Sequence, residues 1–509
     1  MTNENHSVKN RRKQRLVKNT KASLVFQATS IISGFVLPKL ILRNFGSEVN
    51  GLVNSIAQFL QMISFLELGV GAVIQSSLYK PLAENDYDQV SRIVASASRF
   101  FKRIARILLV YVLVLLAVYP YIADQNYGYL YTAALIVAMS ASSFCQYYFG
   151  IVNQLLLTAD QRGYIQYNTQ TITIVLNTLA CVVLIQLGAS IHVVKLVTAL
   201  IFLARPVVLR LYVDRKYMID RKITYTGEPI QQKWNGVAQH IAAVVLDSTA
   251  NVILTAFATL SDVSVYSVYH LVLYGLKTLY TSMTTGIRSL LGELWAKNEI
   301  SELYKTFGWI EWLIHTGAVL IFGCTATLIL PFVSVYTKGI TDADYIRPLF
   351  AALITLAQAG HCFRLPYNMM ILAAGHYKQT QSNYLIAAAL NIVISIIMVK
   401  CFGLVGVAVG TLAAMAYQTI WMALYNSRNM IRWPFGNFVK QTGVDGLSVV
   451  LGILGTKWFV LGSVTYRSWI LLAMIHALIW LCMIIVVNMV FYRDKMRTLR
   501  LKLLKKCRK

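Results

Sequence analysis

The sequence predicts an all-α polytopic membrane protein with fourteen transmembrane helices, arranged as two six-helix parallel repeats followed by two further helices. Three observations predict it. Of 509 residues, 57% are hydrophobic and 13% charged, where soluble chains carry about 25% charged residues. Apolar stretches near or above the roughly 20 residues that cross a bilayer recur along the whole chain. The chain also repeats itself faintly 213–214 residues on. Ser47-Glu48-Val49 returns as Ser261-Asp262-Val263, residues 78–86 (LYKPLAEND) return in 291–299 (LGELWAKNE), and Asn177 has a counterpart in Asn391. Paired membrane repeats build a site between two halves.

The elements follow in order. Residues 1–19 are a polar, basic tail, and no short apolar core with a small-residue cleavage site comes after it, so a retained first helix is expected instead of a cleaved signal. Spans at 20–43 and 48–78 are joined by a small external turn over 46–51. A polar amphipathic connection over 79–102 leads to spans at 103–123, 127–157, 166–188 and 190–213, which complete the N-terminal half, 20–213. The basic stretch 214–234 (DRKYMIDRKITYTGEPIQQKW) is a linker. The C-terminal half, 235–427, repeats the plan with spans at 235–259, 262–288, 308–331, 346–372, 383–400 and 402–427, including a second amphipathic connection over 289–307. Spans at 440–463 and 467–492 lie outside the repeat, within 428–492, and read either as a packing pair or as the lining of a lipid-tail path. Spans longer than a bilayer requires tilt or project from it.

Lys and Arg set the orientation. Of 47 basic residues, 36 fall in tails and loops that share one side, and six (Arg43, Lys338, Arg347, Lys400, Lys457, Arg467) fall on the other. That bias places both termini in the cytoplasm. Six spans per half then start both halves inside, so the repeats are parallel and not inverted. The net charge of +26 therefore reports topology and not nucleic-acid binding. The C-terminal tail, 493–509, carries nine basic residues and is expected to lie on anionic lipid, or alternatively to serve a partner.

Charges inside the spans are costly and mark cavities, pairs or snorkelling anchors. Lys39 follows Pro38 and shares a helix face with Arg43. Glu67, the deepest acid of the first half, is read as a structural pair with Lys39 or Arg205, or as an ion or proton site. Gly69 and Gly71 beside it permit close helix approach. His240, Asp247 and Asn251 form a polar stripe on one face of the seventh span. Lys277, central in the eighth span, is read as a cavity cation or as a partner of Asp247, and Arg288, eleven residues on, falls on the same helical face. Arg364 precedes Pro366, which breaks the backbone ladder, and a guanidinium grips phosphate with a two-pronged fork. Arg205-Pro206 has the same adjacency, and Lys195 reads as an anchor. Lys277, Arg364, Lys39, Arg205 and Arg288 are thus the candidate substrate-binding cations, and Glu67, Asp247, His240 and Asn251 the candidate ion-coupling or charge-pairing groups. The excess of cations predicts a cavity for something anionic.

Other patterns exclude more than they assign. The chain contains no G-x-x-x-x-G-K-[ST] phosphate loop, no nucleophile with a base and no metal-ligand spacing, so neither an enzyme nor a bound cofactor or metal is expected. A coupling ion, H+ or Na+, is. The seven cysteines read as small apolar residues. The tyrosines over 119–131 and Trp433 fit interfacial belts, and Tyr266, Tyr269 and Tyr274 are candidates for sugar stacking.

Three segments carry a family resemblance: FGSEVNGLVNSIAQFLQMISFLELGVG at 45–71, SDVSVYSVYHLV at 261–272, and LPYNMMILAAGHYKQTQSNYLIAAALNIVISIIMVKCFGLVGVAVGTLAA at 365–414. With them, residues 15–430 resemble the polysaccharide flippases of the multidrug/oligosaccharidyl-lipid/polysaccharide exporter superfamily, in the form typical of Gram-positive bacteria. The resemblance implies the V-shaped fold of that superfamily in a bacterial plasma membrane. It also implies movement of an undecaprenyl-(pyro)phosphate-linked oligosaccharide from the inner to the outer leaflet by alternating access. A polysaccharide polymerase and glycosyltransferases would be its partners. The lipid II flippases of the superfamily keep basic residues in the cavity, but their arginines do not match this chain one for one.

Two other transport readings share the fold: a lipid II flippase, and a drug antiporter, against which the cation excess argues. A scaffold for cell-wall assembly is a third class, and it would gain nothing from buried charges in both halves.

Overall fold

The computed structural model describes residues 2–66, 70–122, 127–221, 223–224 and 248–507. Glu67, His240, Asp247 and the linker residues 225–234 lie outside the described residues. Among those described, regular structure is helical throughout. The chain divides into two compact units, 1–264 and 265–509.

The first unit opens with α1 (Thr2–Gln61), which is two helices meeting at Gly46, where φ is 83° and ψ 175°. That backbone geometry suits a residue without a Cβ. The turn expected over 46–51 is thus a single residue, and helix resumes at once after it. A short 3-10 segment (Met62–Leu66) follows, then α2 (Val70–Glu84), α3 (Tyr87–Ile122) and α4 (Tyr129–Cys145). A π-helical turn (Gln146–Gly150) separates α4 from α5 (Ile151–Ala159). A Cβ on Gly150 there would come within 2.6 Å of the Gln146 side chain and 3.1 Å of Pro206. Then come α6 (Gly163–Gln186), α7 (Ile191–Lys216) and α8 (Ser248–Phe257). The connection over 79–102 is mostly helix, and its apolar face enters a core with Ile74, Leu78, Ile93, Phe101, Leu156 and Val213.

The second unit takes most of α9 (Leu260–Met283), then α10 (Thr285–Ala296) and the 37-residue α11 (Ile300–Tyr336). The helix α12 (Pro348–Phe363) is interrupted at Arg364 and resumes as α13 (Leu365–Ala373). α14 (Tyr377–Phe402) and α15 (Leu404–Asn429) form a tight pair in which a Cβ on Gly406 would sit 2.3 Å from the Met398 backbone. The last elements are α16 (Phe435–Thr456), α17 (Tyr466–Phe491) and α18 (Arg493–Cys507). Trp480 of α17, fully buried, lies in a slot between Gly323 and Gly452.

Equivalent repeat positions behave alike. Asn85 and Asn298, 213 apart, end α2 and α10 with φ of 55° and 56°, a conformation asparagine tolerates. Asn177 and Asn391, 214 apart, are both buried, and each accepts from the residue four on, Cys181 or Ser395.

Among the described residues, nine helical segments are long and apolar enough to cross a membrane. The first two expected spans form one such segment through α1. The expected spans at 235–259, 262–288, 346–372 and 440–463 are not among the nine. The first of them falls partly outside the described residues, and the others are polar or broken, carrying Lys277, Arg364 and Asp445. Apolar side chains such as Leu109, Val110, Leu113, Ile172, Leu176, Leu200, Leu471 and Leu478 remain outward, as expected where lipid is the solvent. Of the cysteines, Cys181 and Cys362 are buried as expected, whereas Cys401 and Cys482 are exposed.

Candidate functional site

The second unit gathers two of the expected cations. Lys277 lies at the end of a ladder of rings on α9. Tyr266, His270 and Tyr274 recur every four residues, so helical spacing stacks them. The ring centroids are 5.4 and 5.2 Å apart and the planes within 25° of parallel. The Lys277 ammonium sits 4.9 Å from the centre of the Tyr274 ring, a cation–π contact. Lys277 is 5% exposed, while Tyr274 is 42% exposed. Tyr269, the third tyrosine expected to stack sugars, instead points into the protein and donates its hydroxyl to the Tyr345 carbonyl at 2.7 Å.

Arg364 occupies the break between α12 and α13, which Pro366 enforces by supplying no backbone N–H. Arg364 is 7% exposed. It donates to Gln418 Oε1 of α15 and, at 2.9 Å, to His361 Nδ1. A guanidinium only donates, so Nδ1 accepts and the His361 proton resides on Nε2. Both Lys277 and Arg364 act electrostatically on His361 and on Cys362, so the two cations share one neighbourhood. Two like charges so placed repel each other.

The other expected cations are elsewhere. Arg288 lies in α10, beyond the interruption at Thr284, and is exposed. The helix on which it would share a face with Lys277 is not continuous. Arg205 of α7 donates from Nε to Thr173 Oγ1 at 2.6 Å and stacks on Phe202 at 3.9 Å. Lys39 is half-buried on α1, after Pro38. Asn251 of α8 is 3% exposed, and its Oδ1 is buried without a hydrogen bond.

A second buried polar cluster in the same unit is absent from the expectations. Glu311 of α11, 3% exposed, accepts from the Tyr367 hydroxyl at 2.5 Å and from the Trp433 indole at 3.0 and 3.1 Å. One turn on, His315 Nδ1 donates to Asp445 Oδ2 of α16 at 2.6 Å, and Gln441 Nε2 donates to the other Asp445 oxygen at 2.9 Å. The i, i+4 spacing of Glu311 and His315 within an expected span was the available signal. Spans 440–463 and 467–492 are therefore tied to the interior by more than apolar packing. Among the described residues no group of three His, Cys, Asp or Glu side chains is placed to hold a metal ion.

Neither a family model nor a curated relative matches the sequence. Solved structures do match the fold. A structure of the lipid II flippase MurJ in an inward closed conformation has a TM-score of 0.67 at 14% identity, over 94% of this chain and 99% of that one. An inward-facing multidrug resistance MATE family transporter of the MOP superfamily gives 0.58 at 15% identity, over 78% and 94%. A eukaryotic MATE transporter gives 0.55 at 11% identity, over 86% and 99%. The chain has the all-helical fold of these membrane transporters.

Proposed function

We propose that the protein is a flippase that carries an undecaprenyl-(pyro)phosphate-linked oligosaccharide, a precursor of a cell-surface polysaccharide, from the inner to the outer leaflet by alternating access. The observation that carries this reading is the pairing, within one unit, of a ring ladder with two buried cations. Tyr274 offers a partly exposed ring to a sugar, Lys277 beside it offers a point charge, and Arg364 offers a fork that matches phosphate oxygens. A lipid-linked sugar phosphate presents those groups joined together, and its prenyl chain needs only lipid.

The fold shared with a lipid II flippase supports a lipid-borne cargo. The cation excess supports this cargo over a cationic drug, since a drug-cation site would carry buried acids at the grip. The protein works in a bacterial plasma membrane with both termini cytoplasmic, and its basic tail, 493–509, lies on anionic lipid. The polymerase and glycosyltransferases of the same polysaccharide are its working partners. Arg205 and Lys39 are secondary anchors for the substrate path, and Asn251 with the neighbouring Asp247 and His240 serves ion coupling.

The test is translocation in proteoliposomes loaded with a fluorescent undecaprenyl-pyrophosphate oligosaccharide, with lipid II as competitor. The reading requires protein-dependent appearance of the sugar in the opposite leaflet that excess lipid II does not abolish. Transfer of lipid II in preference would establish the lipid II flippase reading instead.

A further inference from the structure

The Glu311–His315–Asp445 cluster holds two carboxylates against one imidazole. Glu311 and His315 are 3% and 1% exposed. The two acids differ in what surrounds them. Asp445 has an imidazole on one oxygen at 2.6 Å and an amide on the other at 2.9 Å. The bonded partners of Glu311 are a phenol and an indole, both neutral. His315 Nε2 is buried with no hydrogen bond, and its ring lies flat on Phe363 at 5.1 Å.

We propose that these three residues form a proton-binding site of the second unit, in which Glu311 takes the exchangeable proton. The proton comes from hydronium in the solvent, breaking one O–H bond there and leaving water, and forms one O–H bond on a Glu311 oxygen, so the cluster gains one positive charge. A metal cation is the wrong ligand here. It needs oxygen lone pairs, whereas the Tyr367 and Trp433 groups turn hydrogens toward the carboxylate.

The neighbouring groups are few. Tyr280 of α9 donates to the Ile314 carbonyl, and Cys362 of α12 faces Tyr280. Lys495 of α18 acts on Glu311 through space while donating to the Gly308 carbonyl at 2.7 Å. Lys440 of α16 sits over the Tyr492 ring at 5.0 Å, and that phenol faces both acids. From α17, Asn488 accepts from Trp312 at 2.6 Å. On α10, Glu293 is paired with Lys297 and Arg288 is exposed. Among the described residues, Lys495 is thus a lysine that bears on Glu311.

The site is built to move something. Glu311 holds α13 through Tyr367 and the segment before α16 through Trp433. Protonation at Oε2 turns that oxygen into a donor and ends the Trp433 contact it accepts at 3.1 Å, leaving Oε1 to accept from Tyr367 and Trp433. Phe363 and Tyr367 flank Arg364 in the interrupted helix, so a change at Glu311 reaches the anion grip through three residues of chain. Use of the site to couple transport to a proton gradient rests on the flippase reading, but proton binding does not.

The experiment is a pH-difference infrared titration of the full-length protein in nanodiscs, following the carbonyl band of protonated carboxyls. The expected result is a band that appears on acidification in the wild type and is missing in Glu311→Gln. Tyr367→Phe, which removes one donor and leaves the ring packed, should shift its midpoint by about one pH unit. It also guards against loss of fold in Glu311→Gln. The same band with the same midpoint in Glu311→Gln and Tyr367→Phe would overturn the proposal. Absence of any such band in the wild type would overturn it equally. Since neither readout needs substrate, a protein that translocates nothing and still shows the Glu311 band would sink the flippase reading alone.

Discussion

Asn50 Nδ2 donates to Ser264 Oγ at 2.7 Å, and the two residues are 214 positions apart, the period of the internal repeat. Equivalent positions of the two repeats therefore touch directly. Both are buried, at 1% and 0% exposure. The neighbouring Gly51 has no room for a methyl group, since its Cβ would lie 1.8 Å from the Leu260 carbonyl oxygen. The Ser55 and Thr255 hydroxyls add a bond at 2.5 Å.

Gly51→Ala should therefore force α1 away from the start of α9. We expect a loss of about 1–3 kcal/mol, the usual range for overpacking, read as a lower unfolding midpoint in detergent. Gly436→Ala, where nothing lies within 4 Å, is the control and should not shift the midpoint measurably.

Trp480 gives a second packing test. A Cβ on Gly452 would come within 2.5 Å of its ring, and one on Gly323 within 2.2 Å. Gly452→Ala should destabilise by about 1–3 kcal/mol and Trp480→Ala by roughly 3–5 kcal/mol. Combined with Trp480→Phe, Gly452→Ala should recover part of its loss, which thermal unfolding of the double variant measures.

The first unit is tied at one end by Asp160. It binds Arg15 at 3.2 Å, Arg162 at 2.6 Å and the Tyr217 hydroxyl at 2.5 Å, drawing α1, the α5–α6 turn and the end of α7 together. Partly exposed ion pairs are worth about 0–1 kcal/mol each, so Asp160→Ala should cost little global stability. Its effect should be local, as faster proteolysis of the N-terminal arm near Arg15, with the unfolding midpoint nearly unchanged.

Docking of α18 should depend on pH. Burial, with Lys440 adding to it and Glu311 opposing, pushes the Lys495 ammonium down to about 8 from 10.5. Between those values the undocked lysine binds more protons than the docked one, so docking tightens as pH rises through that window. Protease protection of residues 493–507 should increase between pH 8 and pH 10.5, and Lys495→Met should remove the dependence.

Much of this architecture is legible in the sequence because hydrophobic length and charge bias are local signals. The repeat is legible too, and Asn85 and Asn298, within the repeated segments 78–86 and 291–299, adopt the same φ. Lys277 and Arg364 stand out because a lone cation in an apolar run is visible by itself. Glu311 does not, because it lies near the start of its span, where an acid reads as interfacial. Its partners Tyr367 and Trp433 are 56 and 122 residues away, and no local pattern announces that they close over it. The His315–Asp445 bond crosses 130 residues, into a span that sequence alone reads as packing or tail lining. The shared face of Lys277 and Arg288 fails for a different reason, a helix interruption at Thr284 beside Gly286.

The central claim is that Lys277 and Arg364 together grip an anionic headgroup. The most direct test is translocation of the undecaprenyl-pyrophosphate oligosaccharide by Lys277→Gln, Arg364→Gln and the double variant, each confirmed folded by its unfolding midpoint. Loss of a charged hydrogen bond costs about 1.5–3 kcal/mol, so each single variant should lose roughly tenfold to hundredfold in rate at limiting substrate, and the double variant more. A wild-type rate in the folded double variant would contradict the account.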